Sequence, residues 1–104
     1  FRSESSPHST VLIGHNDLIA TQILSELRGA DYDVGQQVGV AGYDNTALSH
    51  EGNGGFTSIS QPLDEISTRA ISLVTTRAKR LYGPAQDVVV EPRLIVRSST
   101  AKPL

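Results

Sequence analysis

Two short polar segments hold the side chains of this chain that are best suited to bind a ligand. The first, His15–Asp17, follows a β-branched apolar run, and the second, Tyr43–Asn45, follows a smaller apolar run. The ionised carboxylate of Asp44 can accept two or more hydrogen bonds, and the carboxamide of Asn16 can both donate and accept them. If the two runs are neighbouring strands, this pair suits a small neutral polyol or a nitrogen heterocycle.

Both residues also have a structural interpretation. Asn16 can cap the helix that follows it, and Asp44 can stabilise a turn, which are common roles of Asn and Asp at strand ends. Spacing alone does not decide between capping and ligand binding, so both interpretations stay open at this point. Asp17 is interpreted as structural.

The sequence offers little for catalysis. The three histidines are scattered and show no metal-ligand spacing. The stretch Gly52–Gly55 lacks the Lys-Ser/Thr of a phosphate-binding loop, and there is no G-x-S-x-G nucleophile motif. An enzyme that used Asp44 as its base would need a partner that the sequence does not show. We therefore expect no enzymatic activity, no metal and no cofactor.

The apolar pattern predicts the elements that must position these residues. Thr10–Gly14 is typical of a buried strand, and the apolar residues of 17–29 recur at helical spacing. Val38–Ala41 is a second strand-like run. A strand–helix–strand unit of this length is a βαβ crossover, so the two strands are expected to be parallel neighbours. Their carboxyl ends, where ligands bind in open parallel sheets, then carry Asn16 and Asp44.

The sequence of the second half of the chain predicts a loop, further strands and one long helix. Residues 46–55 are expected to form a turn or loop, and residues 56–60 a short strand. A helix is predicted over 62–82, because its apolar residues form a near-heptad stripe. Two strands follow over 87–91 and 93–97, separated by a proline. The order β-α-β-β-α-β-β places the chain in the α/β class.

Composition narrows the class of protein further. The chain has 104 residues, of which 38% are hydrophobic and 19% charged, as in ordinary globular proteins. Its formal net charge is −2 and its basic residues form no strong cluster, which disfavours direct nucleic-acid binding by this piece. Cysteine is absent, and no apolar run approaches the length of about 20 residues that a membrane-spanning helix needs. Methionine is also absent and the first residue is Phe1, so we expect a fragment or a processed chain.

Four motifs together carry a resemblance to a known family. They are the strand that runs into Asn16 and Asp17, the segment Val38–Asn45, the segment Phe56–Pro62 and the ending Glu91–Thr100. In this order and at these distances they resemble the C-terminal part of the effector-binding domain of the LacI/GalR transcriptional regulators. The resemblance extends over residues 10–101.

The resemblance implies a type I periplasmic-binding-protein-like fold, a parallel-sheet, three-layer α/β sandwich. Two Rossmann-like subdomains would enclose a ligand cleft. Residues 10–60 and 86–101 would belong to the C-terminal subdomain, and the helix 62–82 would pack on the N-terminal subdomain. The whole chain, 1–104, would then be an incomplete ligand-binding domain without the helix-turn-helix that reads DNA.

The resemblance also implies site residues and partners. Asn16, Asp44 and Gln61 match positions of family ligand contacts, and Leu63 lies where some members place an aromatic residue against the ligand. The implied protein is a cytoplasmic homodimer with no membrane partner. A small effector, a sugar or a purine-like compound, would control its binding to operator DNA. The alternative is an exported sugar-binding protein of an ABC transporter, which shares the fold; the ending Arg97–Thr100 favours the regulator.

Overall fold

The computed structural model describes residues 10–52, 55–79 and 83–100, which fall into two compact units. The first unit contains the described residues up to Ser60 and those from Leu94 onward. The second unit runs from Gln61 to Arg93. No helix in this part of the chain is long and apolar enough to cross a membrane.

A strand and a helix open the first unit. β1 spans Thr10–Ile13 and α1 spans Asp17–Gly29, with Asn16 as the N-cap. The buried apolar side chains of α1 recur at helical spacing, and they are Ala20, Leu24 and Leu27. The predicted strand and helix are confirmed, and one face of α1 packs in the core. The expectation that the strand is buried is wrong, because three of the four residues of β1 are exposed and Leu12 is only half-buried.

Four strands form one sheet in the order β1-β2-β3-β4, where β2 is Val38–Tyr43, β3 is Thr57–Ser60 and β4 is Arg93–Ile95. β2 lies between β1 and β3 and is parallel to both, with Val40 opposite Leu12 of β1. The predicted parallel βαβ unit and the α/β class are therefore confirmed. Because β1 and β2 are parallel neighbours, their carboxyl ends meet at one end of the sheet.

The core of the first unit lies between α1 and the sheet. Val38 and Val40 of β2 are buried together with Phe56, which precedes β3, and with the apolar face of α1. Full burial of a side chain of this size contributes about 1.5–3 kcal/mol relative to exposure. This packing fixes the distance between α1 and β2. Asn16 immediately precedes α1 and Asp44 immediately follows β2.

Gly42 is required by close packing near the end of β2. A Cβ atom at this position would lie 2.8 Å from Phe56 Cε1 and would collide with the Asp17 carboxylate. The missing side chain allows the first residue of α1 to approach β2 closely.

The segment Arg97–Thr100 packs on the two central strands. The Val40 N–H donates a hydrogen bond to the backbone oxygen of Ser99 at 3.2 Å, and the Ser99 hydroxyl donates to the Val40 oxygen. The same hydroxyl accepts a hydrogen bond from the Thr57 N–H at 2.8 Å. Ser99 therefore joins β2 to β3 at the point where their own pairing begins, between Ala41 and Thr57.

Part of the predicted loop over residues 46–55 is helical, so that prediction is wrong in part. Ala47–His50 forms α2, a single turn that follows Thr46. Ser49 of α2 is buried, and its hydroxyl contacts the Thr46 oxygen at 2.7 Å and Asn45 Oδ1 at 3.1 Å. A helix of one turn carries no apolar periodicity that the sequence could reveal.

α3, Leu63–Lys79, is the main element of the second unit. It confirms the helix predicted over 62–82, of which residues 80–82 lie outside the described part of the chain. No residue of α3 is buried, and its exposed apolar side chains include Leu63, Ile71 and Val74. The assignment of this helix to a contact with another subdomain stays a prediction.

The predicted strand over 87–91 is wrong. These residues form no strand, and Val89 is 89% exposed. The next predicted strand, 93–97, is shorter than expected, since β4 ends at Ile95. A β-branched run forms a strand only where a neighbouring strand pairs with its backbone groups, and the run itself does not encode that neighbour.

Candidate functional site

Asn16 lies at the junction between β1 and α1. Its Oδ1 accepts a hydrogen bond from the Ile19 N–H at 3.0 Å, which satisfies one of the free donors in the first turn of the helix. The structural interpretation of Asn16 as a helix cap is therefore confirmed. The capping oxygen leaves the two N–H donors of the carboxamide on the other side of the group, so capping and ligand contact are compatible.

Asp44 and Asn45 form a turn directly after β2, and both have left-handed backbone conformations, with φ of 102° and 51°. A residue other than glycine in such a conformation costs about 1–3 kcal/mol, which the surrounding structure must offset. The Asp44 N–H donates to the Ile59 oxygen at 2.8 Å, and the Asn45 N–H donates to Ser58 Oγ at 3.0 Å. β3 therefore holds the backbone of the turn while the Asp44 side chain stays exposed.

Asp17 is a buried carboxylate that lies 1% exposed under this turn. Its Oδ2 accepts hydrogen bonds from the Thr46 N–H and from the Thr46 hydroxyl, the latter at 2.7 Å. Its Oδ1 accepts from the Ser58 hydroxyl at 2.6 Å. These contacts confirm that Asp17 is a structural residue, as the sequence suggested.

Asn16 and Asp44 line the same pocket, which has a volume of about 310 Å³. This is near the lower end of the volumes of small-molecule sites. The prediction that both residues face one crevice is therefore confirmed. The pocket is lined by Asn16, Asp17, Leu18, Asp44, Thr46, Ala47 and Leu48.

The pocket combines hydrogen-bonding side chains with apolar surface. Asp44 contributes an acceptor-only carboxylate and Asn16 contributes a carboxamide, while Leu18 and Leu48 supply apolar surface. Within the described residues, no three His, Asp or Glu side chains are grouped so that they could hold a metal ion. The arrangement can form hydrogen bonds with polar groups of a small ligand and can contact its apolar groups.

The other two predicted site residues, Gln61 and Leu63, belong to the second unit. Leu63 is the first residue of α3 and is 63% exposed, and its N–H donates to the Gln61 oxygen at 2.9 Å. The first unit thus brings together two of the four predicted residues. The contribution of Gln61 and Leu63 to the ligand site stays a prediction.

Arg97 is a residue near the site whose role the sequence did not reveal. Its guanidinium donates to Asn45 Oδ1 at 2.8 Å and to the Phe56 oxygen at 3.0 Å, and it lies 3.3 Å from a ring nitrogen of His50. Arg97 therefore holds the Asn45 side chain, which is next to Asp44 in the turn. In the sequence, Arg97 was noted only as part of the ending Arg97–Thr100 that resembles the family. That resemblance did not indicate which groups the side chain contacts.

Comparisons with known proteins show the family to which the chain belongs. The family of periplasmic binding protein-like domains matches residues 2–100. The arabinose metabolism transcriptional repressor of Halalkalibacterium halodurans is 31% identical over 104 residues, which cover 95% of this chain and 28% of the repressor. The transcriptional repressor PurR of an Escherichia coli O139:H28 strain is 31% identical over 98 residues, which cover 93% of this chain and 29% of PurR. The chain thus spans somewhat over a quarter of the length of these relatives.

A solved structure has the same fold. The transcriptional regulator CelR in complex with cellobiose superposes with a TM-score of 0.77 at 26% sequence identity, over 86% of this chain and 27% of that one.

Proposed function

Because the chain belongs to the LacI/GalR family of transcriptional regulators, we propose that it forms part of an effector-sensing domain that binds a small molecule, most simply a sugar. One observation carries the proposal: Asn16 and Asp44, which follow two parallel strands, line a single pocket of about 310 Å³. In the complete domain this pocket would form one side of a cleft between two subdomains. Gln61 and Leu63 would join the site from the hinge.

The side chains of the pocket support a sugar as the ligand class. The Asp44 carboxylate can accept hydrogen bonds from two hydroxyl groups, and the Asn16 amide can donate to a ring or hydroxyl oxygen. Leu18 and Leu48 provide surface for the C–H groups of the ring. A relative is named for arabinose metabolism and a structural neighbour holds cellobiose, which also favours a sugar. A purine-like ligand is the second class that the same donors and acceptors would accept.

The mechanism we propose is a shift of population between open and closed forms of the cleft. A ligand that contacts Asp44 and Asn16 from one subdomain and further residues from the other would favour one form. In a cytoplasmic homodimer, this change would be transmitted to a helix-turn-helix outside the present chain. A typical coupling of about 1–3 kcal/mol changes operator affinity about 5- to 150-fold. No enzymatic step is involved.

Thermal melting of the full-length parent protein tests this function. The panel consists of L-arabinose, cellobiose, sugar phosphates and purines, each measured with wild type and with Asp44→Ala. A ligand at about 100 times its dissociation constant stabilises the folded state by about 2.7 kcal/mol, which raises Tm by several degrees. A shift with one compound that Asp44→Ala removes supports the proposal. The absence of any shift across the panel contradicts it.

The pocket does not distinguish a regulator from an exported sugar-binding protein. The segment that the gene encodes upstream of this chain does. Both relatives described above are repressors, which favours the regulator. A helix-turn-helix encoded upstream in the same reading frame supports our proposal. A signal peptide in that place supports the transporter protein instead.

A further inference from the structure

One buried side chain, Asp17, helps to hold the turn that carries Asp44, together with the hydrogen bond from the Asp44 N–H to Ile59 and the contact of Arg97 with Asn45. Two consecutive residues of this turn, Asp44 and Asn45, are left-handed without being glycine. A free chain would leave this conformation, so the flanking contacts decide where the Asp44 carboxylate points.

Asp17 provides these contacts on both sides of the turn. On the C-terminal side, its Oδ2 accepts from the backbone N–H and the hydroxyl of Thr46. On the side of β3, its Oδ1 accepts from the Ser58 hydroxyl at 2.6 Å, and the same hydroxyl accepts from the Asn45 N–H at 3.0 Å. One carboxylate thus anchors Thr46 directly and Asn45 through one intermediate.

We propose that Asp17 is a positioning residue for the effector site, which sets the affinity for ligand by holding Asp44 in its left-handed conformation. This inference rests on the proposed function, because it assumes that Asp44 contacts the ligand. Asp17 itself does not touch the ligand in this role, since its two oxygens accept three hydrogen bonds from Thr46 and Ser58.

The role requires a carboxylate. A carboxylate accepts hydrogen bonds at both oxygens, whereas a carboxamide has one acceptor and one donor group. Asp17→Asn keeps the shape of the side chain but faces either Ser58 or Thr46 with N–H groups. With the amide facing Ser58, the Ser58 hydroxyl gives up the bond that it donates to the carboxylate and can only accept from the amide, so the charge-assisted link to this side of the turn is weakened and Asp44 is held less firmly.

The test compares Asp17→Asn with Asp64→Asn in the full-length parent protein. Asp64 also lies in the first turn of a helix, α3, but it is exposed, so its variant controls for the loss of a helix-terminal charge. Ser58→Ala is the second variant, because it removes the support of Asn45 and leaves Asp17 in place. Two quantities are measured: hydrogen–deuterium exchange of the peptide containing residues 43–49, and the dissociation constants for L-arabinose and cellobiose.

We expect exchange in residues 43–49 to rise at least about tenfold in Asp17→Asn, with exchange in β2 and α1 unchanged and sugar affinity lowered about tenfold. Ser58→Ala should show an effect of the same kind, and Asp64→Asn none. Unchanged exchange in residues 43–49, or an equal rise throughout the first unit, overturns the positioning role. Local loosening with wild-type affinity also overturns it. If wild type binds neither sugar, the sugar proposal fails, and the exchange measurement alone decides whether Asp17 positions the turn.

Discussion

Ser99 and Val40 are 59 positions apart in the sequence and are joined by two hydrogen bonds that run in opposite directions. Val40 donates through its N–H and accepts through its oxygen, so Ser99 pairs with β2 much as a residue of a neighbouring strand would. The Ser99 hydroxyl also accepts from the Thr57 N–H, which ties β3 to the same point. Ser99 thus extends the hydrogen bonding of β2 and β3 past the point where these strands stop pairing with each other.

Ser99→Ala should lower the stability of the protein. The substitution removes the hydroxyl from a position that is 2% exposed and leaves the Thr57 N–H without this acceptor, at a cost of about 1–3 kcal/mol. The urea midpoint of the full-length parent protein measures the change. Ser25→Ala on the exposed side of α1 is the matched control and should change stability by less than about 0.5 kcal/mol. Equal midpoints for the two variants would contradict the role of Ser99.

Gly42→Ala and Gly29→Ala should have opposite effects. An added Cβ at position 42 meets Phe56 and the Asp17 carboxylate and should destabilise the protein by about 1–3 kcal/mol. At position 29 nothing lies within 4 Å of the added atom, and alanine should stabilise by about 0.4–1 kcal/mol. Thermal melting of both variants in the same buffer checks the sign of each change. A Gly42→Ala protein as stable as wild type would show that α1 can move away from β2 at little cost.

Substitutions of Asn16 separate its capping role from its proposed ligand contact. Asn16→Ser keeps a good N-cap but removes the carboxamide, whereas Asn16→Ala removes both and should lower stability by about 1 kcal/mol. We expect Asn16→Ser to melt like wild type and to bind the effector about 2- to 10-fold more weakly, as the loss of one hydrogen bond predicts. Titration calorimetry with the sugar that stabilises wild type gives the affinity. Wild-type affinity in Asn16→Ser would leave Asn16 with capping alone.

Asp44→Ala should uncouple the regulator from its effector. The exposed carboxylate is replaced without a change in the buried contacts of Asp17, so the fold and operator binding should be retained. In a reporter assay, we expect a normal level of operator occupancy and no response to the sugar. An unchanged response would remove Asp44 from the site. Loss of operator occupancy would indicate that the substitution acts on the fold instead.

The local patterns of the sequence predicted most elements of the fold. The runs that became β1, β2 and α3 carry their own signal, because a short β-branched apolar run and apolar residues at helical spacing are both visible in the local sequence. The run at Val88–Val90 carries the same signal and forms no strand, since a strand also needs a partner in space. The short α2 had no periodicity to detect.

The candidate site was predicted in part for a similar reason. Asn16 and Asp44 could be predicted from the sequence because both lie within a few residues of the end of a strand, and parallel pairing brings strand ends together. The residues that hold the site in place could not be predicted from the sequence. Asp17 contacts Thr46 and Ser58, which lie 29 and 41 positions away, and no local pattern marks such a set. The roles of Arg97 and Ser99 depend on contacts of the same long range.

The contact of Ser99 with β2 and β3 also sets an order of events during synthesis. Thr57 and Ser99 are 42 positions apart, and a ribosome adds about 5–20 residues per second, so Thr57 is made roughly 2–8 s before its partner. Throughout this interval the edge of β2 at Val40 has no Ser99 to pair with, and an open strand edge is a template for pairing with another chain. The whole of α3 is translated within the same interval. This edge of β2 therefore stays without Ser99 while α3, whose apolar side chains are exposed, emerges, and this is the period in which we expect the nascent chain to depend on chaperones.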